Sequence, residues 1–251
     1  MINSWFLFAR AFLAICLAAW LAGCATGPVA RAPDYAAIIA APDRSEADRL
    51  NDQRRKPHEL YAFTGARPGM KVLDMFAGGG YSTELLARSV APGGTVYSQT
   101  PPDTSPNARK TYETRAQSAA MKNVVRVERP MDDPLPPGVG GLDLITFFFN
   151  YHDTVYMEVN RPQMNRRMFE ALKPGGILVL ADHSARPGDG ATVTKTLHRI
   201  EESVVRRELE AAGFQLVEEG NFLRNPQDTR ETSVFKPKVP NDEFVLKFKK
   251  P

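Results

Sequence analysis

Short apolar runs recur along most of the chain, at 71–75, 95–99, 124–128, 142–149, 176–181, 214–219 and 243–249. Each is four to eight residues long and rich in Val, Ile, Leu and Phe, the pattern of a strand buried in a sheet. Between them lie stretches with helical spacing, predicted at 81–90, 106–121, 157–172 and 195–212. Three runs follow Pro-Gly ("RPGMKVLDM", "APGGTVYSQ", "KPGGILVLA"). Gly ends the preceding helix and Pro prevents its continuation, so each reads as a helix-to-strand turn. In the last predicted helix Leu197, Ile200, Val204 and Leu209 share the core face. Arg199 reads either as the surface partner of Glu202 or as a substrate contact. Strands alternating with helices give an α/β sheet, mostly parallel, with helices on both faces. The final run, "EFVLKFKK", is reached without an intervening helix and alternates apolar with polar, as suits an antiparallel last strand.

Upstream, residues 35–66 alternate helical pieces with proline stops; Pro57 suits a first helical turn and Gly65 its end. "DQRRKPHE" places Arg55, Lys56 and His58 either on a solvated face or on a lid over a ligand. Residues 11–23 are apolar after Arg10, too short for a comfortable span and suited to a signal-peptide core over 1–23. "LAGC" then resembles a bacterial lipobox. The resemblance implies lipidation at Cys24, a tether over 24–34, and a membrane anchor. Ala25 resembles the outer-membrane-sorted class, so the expected place is the periplasmic face of a bacterial membrane. The only other cysteine is Cys16, inside the expected signal, so the mature body calls for no disulfide or catalytic thiol. Over 251 residues the formal net charge is +3, with no long basic run, so nucleic acid is not an expected partner.

The chemistry starts at "KVLDMFAGGGYSTELL". A glycine turn at the end of a first strand lets backbone approach a ligand, and the helix N-terminus beyond favours an anionic group. A dinucleotide fingerprint would need a third glycine where Thr83 stands, and no Gly-Lys-Ser/Thr is present to make a phosphate-binding loop. Two further strands end in polar clusters: Asn150, Tyr151, His152 and Asp153 after "LDLITFFF", and Asp182, His183 and Ser184 after "GILVLA". If those strands are neighbours, His152 and His183 open onto one crevice, where imidazole suits proton removal near neutral pH. A metal site from His152, His183, Asp153 and Asp182 ranks below this acid–base reading, because no ligand spacing enforces it.

These features together resemble class I S-adenosylmethionine-dependent methyltransferases. "NYHD", "LKPGGILVLADHSARPG", "HRIEESVVRRELEAAGF", "LRNPQDTRE" and "FVLKFKKP" further resemble a bacterial family of exported predicted methyltransferases. The resemblance implies a Rossmann-like domain over 67–251: a seven-stranded, mostly parallel sheet with an antiparallel last strand. It implies S-adenosylmethionine as cofactor and a small-molecule acceptor. It assigns cofactor contacts to Asp74, Phe76, Ala77, Gly78, Gly79, Gly80 and Asn150, with Gln99 or Thr100 at the ribose position and Asp132 or Asp133 near adenine. His152, His183 and Asp153 are the expected catalytic set. Phe76 departs from the family glycine, and the second strand's end lacks the family's acid. Those departures favour the alternative of a non-catalytic lipoprotein that keeps the fold to bind a ligand or partner.

Overall fold

The computed structural model describes residues 31–251; the expected signal segment and Cys24 lie outside them. Three short helices, α1 (Tyr35–Ile39), α2 (Glu46–Arg55) and α3 (Pro57–Thr64), precede the first strand. The chain then runs β1 (Lys71–Met75), α4 (Tyr81–Val90), β2 (Thr95–Thr100), α5 (Pro106–Ala116), β3 (Val124–Glu128) and β4 (Leu142–Phe148). It continues through α6 (Asp153–Tyr156), α7 (Arg161–Ala171), β5 (Leu172–His183), α8 (Thr194–Leu197), α9 (Glu202–Ala211), β6 (Gln215–Gly220) and β7 (Glu243–Lys249). The sheet order is β3-β2-β1-β4-β5-β7-β6, parallel except that β7 runs antiparallel to both neighbours. No helix among the described residues is long and apolar enough to cross a membrane.

The period-two alternation of the strands sorts the core into two layers. Leu73, Met75, Ile145, Phe147, Leu178 and Leu180 face α7 and α9, where Met164, Met168, Val205 and Leu209 complete one buried cluster. Val72, Val96, Leu144, Val179 and Ala181 face the other way, onto Leu60, Tyr61, Leu85 and Leu86 of α3 and α4. Helices therefore cover both faces, and the strands' carboxyl ends are left for ligands.

Three predicted helices come out differently. Helix 106–121 stops at Ala116, with a single 3₁₀ turn at Ala119–Met121. Helix 157–172 begins at Arg161, because Asn160 caps Gln163 N–H and Pro162 fits only a first turn; α6 is a separate piece before it. Helix 195–212 is broken at His198, which adopts left-handed backbone (φ 54°). Ile200 then joins the exit of β5, its N–H donating to His183 C=O and its C=O accepting from Ala185 N–H. Ile200, Val204 and Leu209 are buried as expected, whereas Leu197 is only partly so.

Candidate functional site

The β1 exit is a loop whose framework is satisfied internally. Asp74 is buried and accepts hydrogen bonds from Thr83 Oγ1 (2.7 Å) and Thr146 Oγ1 (2.9 Å). Burial outweighs those donors and raises its carboxyl to about 6. Phe76 has φ 53°, the left-handed region that glycine enters without strain, so the backbone here is of the kind glycine favours although the residue carries a ring. Its N–H donates to Gln99 Oε1 (2.9 Å), while Gln99 Nε2 donates to Arg129 C=O (2.7 Å). Arg115 of α5 donates to Gly79 C=O (2.9 Å) and pairs with Asp48 of α2 and Glu84 of α4. Tyr81 Oη donates to Asp52 of α2 (2.6 Å). The N-terminal helices are thus tied onto the loop. A small cavity of about 150 Å³ remains, bounded by Asp74, Phe76, Ala77, Gly78, Gly79, Tyr81, Arg55 and Asn150.

Three of the residues expected to contact the cofactor do not line this cavity. Thr100 is buried at the end of β2, off this cavity, and its hydroxyl has no partner among the described residues. Gln99, the other candidate there, is committed to bracing the strand ends. Asp132 sits on the loop after β3, where its carbonyl accepts from Gln163. Its neighbour Asp133 pairs with Arg129 instead of facing the cavity. Gly80 turns away: a Cβ on it would meet Arg115 Cδ at 3.0 Å and Tyr112 Cδ2 at 3.1 Å, so it serves the packing of α5 on the loop.

The exits of β4 and β5 build the second part. The strands are hydrogen-bonded neighbours, and the His152 and His183 rings lie 5.7 Å apart. Asp182, fully buried, organises both: it accepts from His152 N–H and His183 N–H (each 2.8 Å) and lies 2.7 Å from His152 Nδ1. On the other side, His152 Nε2 is 2.9 Å from Asp153 Oδ1 and 3.3 Å from His198 Nδ1. Burial disfavours a charged His152 ring, but the carboxylates of Asp182 and Asp153 overcome it and raise the imidazole to about 10. Burial likewise opposes ionised Asp153, yet His152 holds its carboxyl down to about 2. The two carboxylates therefore favour the protonated form of His152, whereas the expected role was that of a base. His183 Nδ1 lies 2.9 Å from Glu243 Oε1 but out of line, and makes no hydrogen bond. His152, Asp153, His183 and His198 open on a cavity of about 390 Å³ with Phe149, Tyr156, Val234 and Phe235.

Arg55 and Asn150 border both cavities. The Arg55 guanidinium lies 4.4 Å from the Phe149 ring centroid and 5.5 Å from that of Tyr81, with no hydrogen bond or ion pair among the described residues. Burial and neighbouring Arg54 push it down to about 10. Of the segment read as solvated face or lid, Arg55 covers the site, Lys56 donates to Phe222 C=O (2.6 Å), and His58 is exposed. Arg199 is neither a surface residue nor a substrate contact. It is fully buried, 2.9 Å from Asp228, and donates to Ser184 C=O, Thr232 C=O and Asn241. The sequence reading missed His198 and Arg115. Both lie in helical pattern, and only the break before α9 and the docking of α5 bring them to the site.

The chain belongs to the methyltransferase domain family, whose model matches residues 66–223. Over 121 residues it is 31% identical to the ubiquinone/menaquinone biosynthesis C-methyltransferase UbiE of Shewanella sp. (strain W3-18-1), covering 48% of this chain and 45% of that protein. The match therefore spans less than half the length of these curated relatives. Among solved structures it resembles a SAM-dependent methyltransferase from Aquifex aeolicus, with a TM-score of 0.59, 18% identity, and coverage of 87% of this chain and 100% of that one. It also resembles a possible exported protein from Bordetella parapertussis, with a TM-score of 0.52, 18% identity, and coverage of 86% and 78%. The cofactor this family and fold imply is S-adenosylmethionine. The cavity fits it at one end: Gly78 and Gly79 present backbone at the start of α4, and Arg55 offers an unpaired cation to a carboxylate.

Proposed function

We propose that this methyltransferase holds S-adenosylmethionine against the β1 loop and methylates a small molecule seated among His152, His183 and His198. When bound, the cofactor supplies an electrophilic sulfonium methyl. The observation that carries this reading is the shared wall: Arg55 and Asn150 line both cavities, so donor and acceptor would lie end to end. In this arrangement Gly78, Gly79, Arg55 and Asn150 orient the cofactor, and most of the rate enhancement comes from that alignment. The His152 cation, fixed by Asp182, stabilises negative charge developing on the acceptor. His183, which lines the same cavity with Nδ1 turned toward Glu243, is the residue we assign to accept a proton. Phe149, Val234 and Phe235 suit an acceptor with an apolar body and one acidic or hydrogen-bonding group.

Titration calorimetry on the purified chain tests the cofactor end. S-adenosylmethionine should bind, and Arg55→Ala should weaken binding about tenfold to a hundredfold, as loss of a charge-assisted pair does. No binding at millimolar concentration would defeat the reading.

The lipid anchor at Cys24 belongs to the same proposal. It is supported by "LAGC" closing the apolar run, and it places the enzyme on the periplasmic face of a bacterial membrane. Cys24→Ala should abolish lipid labelling; unchanged mass and unchanged membrane attachment would overturn it.

A further inference from the structure

The three side chains His152, Asp153 and His198 bring one ligand atom each close together at the wall of the larger of the two cavities. The separations are 2.9 Å from His152 Nε2 to Asp153 Oδ1, 3.3 Å from His152 Nε2 to His198 Nδ1, and 3.5 Å from His198 Nδ1 to Asp153 Oδ1. A tetrahedral metal with bonds of about 2.0–2.1 Å sets its ligands about 3.3 Å apart. The triangle thus matches three corners of such a site before any side chain moves.

The surroundings follow the same logic. The far nitrogen of His152, Nδ1, lies 2.7 Å from the fully buried Asp182, the carboxylate–histidine arrangement that fixes ring orientation and raises the basicity of a ligating imidazole. Asn150 Nδ2 and Tyr156 Oη both donate to Asp153, holding its carboxylate in place. His198 reaches the triangle only because its backbone is left-handed between α8 and α9, a conformation costly for a residue with a Cβ. Ile200, bonded to the exit of β5, and the buried Arg199–Asp228 pair lock that turn. Strain kept in place by so much surrounding structure, at a residue that points at two other ligand-type side chains, calls for a function.

We propose that His152 Nε2, His198 Nδ1 and Asp153 Oδ1 form a binding site for a divalent first-row transition cation, with Asp182 as the positioning residue behind His152 and the fourth position open to the acceptor cavity. Two imidazoles and one carboxylate suit zinc and its neighbours better than magnesium or calcium, which prefer all-oxygen sets. The cation would sit between His152 Nε2, Asp153 Oδ1 and His198 Nδ1, which otherwise face one another directly. An acceptor oxygen bound at the open position would ionise more readily, its proton passing to His183 on the wall of the same cavity. This deepens the reading of the cavity as the acceptor site, but metal binding itself does not depend on S-adenosylmethionine.

The test is a titration of untagged full-length protein, purified in detergent and stripped with chelator, with Co(II) and then Zn(II). Wild type should bind one Co(II) per chain and develop the visible absorption of a four-coordinate site, which Zn(II) displaces. His198→Gly keeps the left-handed turn without strain and removes one ligand. It should lose at least a hundredfold in metal affinity while its melting temperature and S-adenosylmethionine binding stay near wild type. Asp182→Asn should weaken the metal about 10- to 100-fold. Absence of stoichiometric Co(II) in wild type, or a His198→Gly variant that binds metal as wild type does, would overturn the site. Neither result touches the cofactor reading, which calorimetry decides separately.

Discussion

The two halves of the site are built in opposite ways. At the β1 exit the ligand-facing surface is backbone, and nearly every polar side chain around it is already paired: Asp74 with Thr83 and Thr146, Gln99 with Phe76 and Arg129, Arg115 with Gly79, Asp48 and Glu84. At the exits of β4 and β5 the surface is side chain, and the charged groups pair directly with one another at the wall of a cavity: His152 between Asp182 and Asp153, His183 beside Glu243. A backbone site binds by shape and by the fixed dipoles of a helix start. A side-chain cluster acts through charges held together against their desolvation cost. The first suits an unchanging cofactor; the second suits chemistry on an acceptor.

Substitutions should separate the halves, and the largest effect belongs to the histidines. Replacing His183 by Ala should lower methyl transfer by about 10² to 10⁴ while leaving cofactor affinity within a few-fold. Single-turnover rates alongside calorimetry make the split; equal turnover would leave catalysis to alignment alone. Next comes Arg199→Met, which leaves Asp228 buried and unpaired beneath the His198 turn. It should cost roughly 3–5 kcal/mol of stability, read from a urea midpoint. A loss under 1 kcal/mol would show that the turn is held by other contacts.

The third effect is a pH dependence from the backbone half, read between about pH 4 and 6. The folded carboxyl of Asp74 is raised to about 6 from the ordinary 3.8. Between those values folding raises the proton occupancy of Asp74, so its contribution to stability falls as pH rises from about 4 to about 6 and is constant beyond. The contribution is on the order of 3 kcal/mol. Asp74→Asn should remove this slope, since Thr83 and Thr146 can still hydrogen-bond the amide. An unchanged slope between pH 4 and 6 in denaturant titrations would assign it to another group. The smallest effect is Phe76→Gly. Relief of the left-handed backbone, about 1 kcal/mol, offsets the lost packing of a half-buried ring, so stability should change by about 1 kcal/mol or less. A large loss would mean that the ring, rather than the Gln99 bond, holds the loop.

What the sequence determined by itself was local and periodic. The alternation of short apolar runs with helical stretches, the Pro-Gly turns and the late polar-alternating strand gave a seven-stranded sheet with an antiparallel final strand. Strand, glycine turn and helix stand in order at Lys71–Val90, so the loop needed no tertiary information. Adjacency of β4 and β5 was enough to bring His152 and His183 together. Tertiary structure decided the rest, because it depends on which polar groups find partners. Thr100, Asp132 and Gly80 sit at the expected positions along the chain, yet Thr100 is buried, Gly80 packs against α5, and none of the three lines the cavity at the β1 exit. Arg199 looked like a surface cation, and a carboxylate about thirty residues downstream, Asp228, draws it into the core. His198 sat in an unbroken helical pattern, and only the pairing of Ile200 with the end of β5 breaks that helix and turns the imidazole toward His152 and Asp153. Periodicity records which face of an element is buried; it carries no information about a buried charge's partner, because that partner is set by the path of the whole chain.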